Sequence, residues 1–217
     1  MTFANAAIDI SHHNNIGNFG KVREAGIRAV FHKATQGTTG ADPTFPTHRQ
    51  GITGAGMLLG AYHFGTAGSA SAQADHFLDV VGDVPALLVL DLEPNPQGHD
   101  MSLLEAEEFV HHIATRTGRY PGLYSGHTIK EMLAQARITS PDQTELSKCW
   151  LWIAQYGPAP LIPKVWNRWE FWQYTDGGVG PQPHEVPGVG RCDRDQYNGD
   201  EQKMIAFWKS NQVAASD

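Results

Sequence analysis

An α/β chain folded as an irregular β/α barrel is the architecture this sequence predicts, on three observations. Short apolar runs alternate with amphipathic stretches along most of the 217 residues. Several runs are hydrophobic without alternation, as expected of strands covered on both faces. After residue 137 the helical signal fades and strands follow with little helix between them. No linker, low-complexity run or internal repeat interrupts the pattern, so 1–217 reads as one domain, long enough for a well-buried core. A doubly wound open sheet is the alternative that the same strand count allows.

In chain order, the first strand is 6–10, and a short helix is expected over 18–25. A second strand at 29–32 leads to a weak, glycine-interrupted helix over 45–55, and a third strand occupies 57–64. Residues 70–81 form a helix with Ala74, Phe77, Leu78 and Val81 on one stripe and Gly82 as its stop. The fourth strand, 86–90, precedes the clearest helix, 102–117. There Ser102 and Glu105 make a capping box, Ala106, Phe109, Val110 and Ile113 line one face, and Gly118 ends it. Strand 122–124 and helix 128–136, with Ile129, Met132, Leu133 and Ala136, complete five β/α units. Strands at 150–154, 170–174 and 191–197 follow, the segment 155–190 being rich in Pro and Gly, and a last helix spans 201–210. This is a TIM-like barrel with its later helices reduced.

Composition narrows the function. The formal charge is −7 and the Lys and Arg residues are scattered, which argues against nucleic acid or an anionic membrane as partner, both of which need a basic footprint. No stretch approaches the ~20 apolar residues of a membrane span. Neutral sugar suits such a surface. The start, Met-Thr-Phe-Ala-Asn, has neither a basic nor an apolar leader region, so no secretory signal is expected. Cys149 and Cys192 lack metal-ligand spacing and are too few to staple the domain, so both are expected buried and free.

The sharpest local feature is Leu-Leu-Val-Leu-Asp-Leu-Glu-Pro over 87–94. Four apolar residues make a buried strand, and Pro94 ends it by removing a backbone donor. Asp91 and Glu93, two apart, point to one face at ~6–7 Å along a strand. Strand C-termini open into the active site of a parallel barrel. Paired carboxylates there raise one another's pKa, leaving one protonated acid and one charged group, the pair that glycoside cleavage requires. Taken alone, such a pair reads more readily as solvated loop acids or a helix-capping pair. Asp9, at the end of the first strand, and Asp193, in the last, weigh against that, because barrel closure pairs those two strands and brings four acids into one mouth.

In its ordered segments the chain resembles the family-25 glycoside hydrolases, the Chalaropsis-type N-acetylmuramidases. The matching stretches are Ala-Ile-Asp-Ile-Ser-His-His at 7–13, Phe-His-Lys-Ala-Thr-Gln-Gly-Thr at 31–38, Asp-Pro-Thr-Phe at 42–45 and Gly-Ala-Tyr-His-Phe at 60–64. Further on come Leu-Asp-Leu-Glu at 90–93, Leu-Trp-Ile-Ala-Gln-Tyr at 151–156, Phe-Trp-Gln-Tyr at 171–174 and Cys-Asp-Arg-Asp-Gln-Tyr-Asn-Gly at 192–199. The resemblance implies a lysozyme acting on the peptidoglycan glycan strand without a cofactor or metal. By motif it makes Glu93 the acid/base and Asp91 the group that stabilises the reacting centre, with Asp9 and Asp193 completing an acidic floor. Two departures stand out: Gln36 where the family pattern usually has Glu, and His32 where it has an apolar residue.

Tyr62, Tyr124, Trp152, Tyr156 and Tyr174 fall at or near predicted strand ends, where aromatic rings stack on sugar C–H faces. The family motifs put Tyr62 and Tyr174 in the cleft, and Gln173 is a candidate to hold a substrate group. Trp150, Trp172 and Trp208 read as core. The eleven histidines include no HxH after the first strand and no HExxH, which weighs against a catalytic metal, and His63 is expected to hydrogen-bond within the barrel. The expected mechanism is substrate-assisted: the 2-acetamido carbonyl attacks after Glu93 protonates the leaving oxygen, with direct inversion by water as the alternative. A glycan-binding barrel without activity and a metal-dependent sugar deacetylase are the rival functions. A monomer is expected, reaching the wall as a phage endolysin, a phage-particle component or an exported toxin.

Overall fold

The computed structural model of the chain describes residues 3–213. Eight strands close into a barrel: β1 (Ala4–Ile10), β2 (Ala29–Gln36), β3 (Leu58–Phe64), β4 (Leu87–Asp91), β5 (Gly122–Ser125), β6 (Trp150–Ala154), β7 (Phe171–Thr175) and β8 (Asp193–Tyr197). Neighbours in sequence are neighbours in the sheet, and β1 pairs with both β2 and β8, which closes the ring. The helices are α1 (Phe19–Glu24), α2 (Phe45–Gly54), α3 (Ala70–Val81), α4 (Leu103–Thr117), α5 (His127–Gln135) and α6 (Glu201–Asn211). Each of the first five follows the strand of the same number, so the five β/α units and three nearly helix-free strands read from the sequence are all present. None of the described helices is long and apolar enough to cross a membrane.

Local chemistry explains the boundaries. Ser102 accepts from the Glu105 backbone N–H while the Glu105 carboxylate accepts from that of Ser102, satisfying two orphan donors at the start of α4. Gly118 ends α4 at φ 73°, a left-handed conformation that costs a glycine nothing. Asn18, Ser69 and Asp200 cap α1, α3 and α6.

The last strand reverses the sheet. Strands β1 to β7 run parallel, but β8 is antiparallel to both β7 and β1. A parallel crossover needs a helix-sized connection packed across the sheet. The segment between β7 and β8 instead forms a small hairpin of Glu185–Val186 with Gly190–Arg191. Asp193 therefore stands at the beginning of its strand, and the reversal is what carries it to the same rim as the C-terminus of β1.

Strand alternation sorts side chains into two cores. Outward residues such as Ile8, Val30, Leu88, Leu90, Leu123 and Ile153 pack under α2 to α5 with Phe77, Phe109 and Ile113. His32 and His63 are buried on this outer face too. His63 lies 4.9 Å from the Phe109 ring, its Nδ1 accepting from Thr35 and its Nε2 donating to Gln73, so its hydrogen bonds form outside the barrel wall instead of within it. His32 donates from Nδ1 to the Lys33 carbonyl and accepts from His48. Burial lowers both imidazoles to about 4, so each stays neutral near neutral pH. Inside, Phe31 stacks on Trp152 at 4.3 Å and meets Phe171 at 5.2 Å. From below, Trp208 of α6 plugs the barrel, 4.7 Å from Phe31, its indole N–H donating to the Leu59 carbonyl. Trp172 packs in the outer core, as expected of a structural tryptophan, and Cys149 and Cys192 are buried and unbridged.

The aromatic column leaves no room on the strand facing it. A Cβ at Gly60 would stand 2.2 Å from the Phe31 ring, which Trp152 and Trp208 hold from other sides. Gly60→Ala is therefore expected to destabilise the fold by about 1–3 kcal/mol. Gly54→Ala, at an open helical position, should cost nothing or stabilise slightly. Urea unfolding of the two variants beside the wild type compares them, and equal stabilities would refute the packing argument.

Candidate active site

The barrel mouth gathers its acids from three strands. Asp9 shares the inward parity of Ala7 on β1, and Asp91 that of Leu87 and Val89 on β4. Glu93 follows two residues later, beyond the last β4 residue. Asp193 opens β8 directly opposite Asp9 across the antiparallel seam. All four border one cleft of about 230 Å³, whose remaining walls are Tyr62, Tyr124, Trp152, Tyr156 and Gln173. Of the ten site residues expected from the sequence, nine meet here.

Tyr174 is the exception. Gln173 points into the barrel, so Tyr174, next to it on β7, must point out. Its ring is buried in the outer core and its hydroxyl bonds Asn5 and the Pro183 carbonyl. The sequence carried the signal for this, because adjacent strand residues cannot share a face.

Gln173 is committed to the protein. Its Oε1 accepts from Tyr124 and Tyr156, both at 2.9 Å, so its Nε2 is turned to donate to Asp9 Oδ2 at 2.7 Å. Two phenols thus fix the amide, and the amide fixes Asp9. Trp152 forms the floor: it is almost fully enclosed, and its indole N–H donates to Asp195 Oδ1 at 2.8 Å. Tyr156 is 40% exposed and Tyr62 is partly so, leaving these two rings as the accessible walls.

Burial governs the charges. Desolvation raises Asp91, with the neighbouring Glu93 adding to the effect and the Lys33 ammonium opposing it. Desolvation likewise raises Glu93, partly offset by His127. Asp9 is raised by burial, then by Asp193 and Asp195, against the Gln173 hydrogen bond. Asp193 is pushed up to about 6 by burial and by Asp176. Like charges facing each other in a half-dry cleft cannot all ionise, so protons are held here near neutral pH.

Three participants escaped the sequence reading: Asp195, buried beneath Asp193 on the same strand face, Lys33, and His127 at the start of α5. The Asp193–Asp195 spacing of two was a legible signal for the first. Of the two departures, His32 faces away from the cleft, and Gln36 accepts a 2.8 Å hydrogen bond from Lys33. No three His, Cys, Asp or Glu side chains among the described residues are grouped to hold a metal ion.

A barrel of this form, with protonatable carboxylates and aromatic walls at one rim, defines a glycoside hydrolase. The chain belongs to the glycosyl hydrolases family 25, whose family model matches residues 8–182. Among its relatives is Lysozyme M1 of Streptomyces globisporus, 30% identical over an alignment covering 92% of this chain and 70% of that protein. The N,O-diacetylmuramidase of Chalaropsis is also 30% identical, with 77% of this chain and 86% of that protein covered. In fold, the bacterial lysozyme of Streptomyces coelicolor superposes with a TM-score of 0.81 at 29% identity, covering 96% of this chain and 99% of that one.

The raised Asp193 makes a signed stability prediction. Its carboxyl moves from an ordinary 3.8 to about 6, so the ionised form costs the folded state above pH 6 and the cost vanishes below pH 4. Asp193→Asn should therefore unfold at a higher temperature than the wild type at pH 7, by up to roughly 3 kcal/mol of stability. The gap should close as the pH falls to 4. Thermal melts at both values test this, and a gain of the same size at pH 4 would contradict it.

Proposed function

We propose that this hydrolase is a lysozyme that cuts the β-1,4 bond between N-acetylmuramic acid and N-acetylglucosamine in bacterial peptidoglycan, with Glu93 as general acid and base. The observation that supports the roles most directly is the asymmetry of the Asp91–Glu93 pair. Asp91 is enclosed, with Lys33 opposing its protonation, while Glu93 is partly open to the cleft and raised by its own burial. The group that can reach a leaving oxygen is the one open to the cleft, and burial raises its carboxyl toward the protonated form it needs there.

In the first step Glu93 donates its proton to the glycosidic oxygen as the C1–O bond breaks. The acetamido carbonyl oxygen of the same muramic acid forms a bond to C1, and Asp91 stabilises the positive charge of the resulting ring. Glu93, now ionised, takes a proton from water, whose oxygen attacks C1 and reopens the ring with net retention. Tyr62 and Tyr156 offer ring faces to the sugars. Asp9, held by Gln173, and Asp193 line the cleft beside the developing cation, and whatever charge they share is of the sign that favours it.

The wild type and Glu93→Gln, incubated with peptidoglycan and followed by borohydride reduction and mass spectrometry, test the proposal. Fragments ending in reduced muramic acid are expected from the wild type, with at least about a hundredfold less from the variant. Reduced glucosamine ends would assign the other bond, and intact glycan from several wall types would favour a binding barrel instead.

A further inference from the structure

Beside the catalytic cleft the same rim carries a second, larger groove of about 510 Å³. Its walls are β2, the turn and short strand (Gly40–Ala41) that follow it, His12 after β1, Thr66 after β3 and Gln97 beyond β4. Threonine hydroxyls and glutamine amides make up most of its polar lining, with Lys33 and Asp42 as charged members. The two depressions adjoin. Lys33 on β2 is paired in register with Tyr62 on β3, and Tyr62 lines the catalytic cleft. Neighbouring strands lie ~4.8 Å apart, so a ligand in the cleft needs only a short arm to enter the groove.

Cleft and groove differ in the charge they offer. Asp42 is fully engaged and its side chain is buried: Oδ2 accepts from the backbone N–H and ring Nδ1 of His12, and Oδ1 from the backbone N–H and hydroxyl of Thr44. The Lys33 ammonium is not engaged in that way. It sits 4.9 Å from the centre of the Phe64 ring and donates to one acceptor, the neutral Gln36 Oε1. Two of its three donors have no hydrogen bond among the described residues. Burial pushes this ammonium down from its ordinary range, a cost that an anionic partner would offset. The cleft next door is lined by four carboxyls. A sugar bound there with an anionic side arm must turn that arm away from them, and the groove presents a cation to receive it.

We infer that this groove is a subsite for the carboxylate-bearing 3-O-lactyl arm of muramic acid, with Lys33 pairing the carboxylate and the hydroxyls and Gln97 receiving the amides of an attached peptide. This rests on the lysozyme reading above and adds that the enzyme selects glycan by its acidic side arm. The neutrality of Gln36 is part of the site, because a glutamate there would pair with Lys33 and occupy the donors that the ligand needs.

Three soluble substrates made from the same glycan test this: one with its acidic peptides, one with the peptide carboxyls amidated, and one stripped to the free lactyl carboxylate. The quantity read is the ratio of kcat/KM between substrates within each protein, so that any effect of a variant on the catalytic acids cancels. In the wild type at least one acidic substrate should exceed the amidated one about fivefold, through KM. Which of the two does so shows whether the peptide or the lactyl group supplies the carboxylate. In Lys33→Met, and in Gln97→Glu, which adds a negative charge on an exposed loop, the ratio should fall towards one. Equal values on all three substrates, or a ratio unmoved by Lys33→Met, would overturn the proposal. Binding is followed separately by ¹⁵N NMR titration with N-acetylmuramic acid and with its alanyl-glutamate derivative. Backbone signals of residues 37–40 should move with at least one of them in the wild type and with neither in Lys33→Met. Such shifts in a protein that cuts no glycan would count against the lysozyme reading and leave the groove standing, whereas cutting without them would sink the groove alone.

Discussion

Asp9 and Asp193 stand opposite each other at the seam where β8 pairs with β1, two carboxylates on the strands that close the barrel. Facing like charges destabilise a strand pair, and burial makes the cost larger. The seam holds because Asp9 is braced by the Gln173 amide, which reaches it from β7 on the far side of β8, and that amide is oriented by the hydroxyls of Tyr124 and Tyr156. Three strands, β1, β5 and β7, and the loop that follows β6 are thus tied together around one hydrogen-bonded amide. The closure that completes the fold and the charge density that equips the site are the same contact seen from two sides.

What makes a strained rim tolerable is the packing beneath it. Phe31, Trp152, Phe171 and Trp208 fill the interior as a continuous aromatic column, and α6 stoppers its lower end. Trp152 joins the two levels: its ring belongs to the column, and its N–H is given to Asp195 just below the cleft. The acids therefore stand on a rigid floor. The outer core follows a different rule. His32 and His63 replace purely apolar contacts there with neutral, fully partnered imidazoles, which keeps polar order in the wall without adding charge to it.

Most of the architecture was legible because it is written locally. Capping at Ser102, stops at Gly82 and Gly118, and unbroken apolar strands located the five β/α units and the three later strands to within a few residues. The site acids were legible for a related reason: a spacing of two on a strand assigns a face, and strand ends assign a rim. Where that rule was applied it held, as for Asp91 with Glu93. Where it was not, it would have helped, since Gln173 in the cleft excludes Tyr174, and Asp193 in the cleft brings Asp195 beneath it.

By itself, then, the sequence determined the order and type of the elements, the family, and which acids share a mouth, all of which follow from periodicity or from ordered motifs. Only the tertiary structure decided the direction of β8 and the use of Gln173 as a brace for Asp9. The physical reason is separation. Gln173 and Asp9 are 164 residues apart, and no local pattern records whether a glutamine will meet a substrate or a carboxylate. Strand direction likewise depends on whether the preceding loop packs as a helix or curls into a hairpin, a choice made against the rest of the barrel.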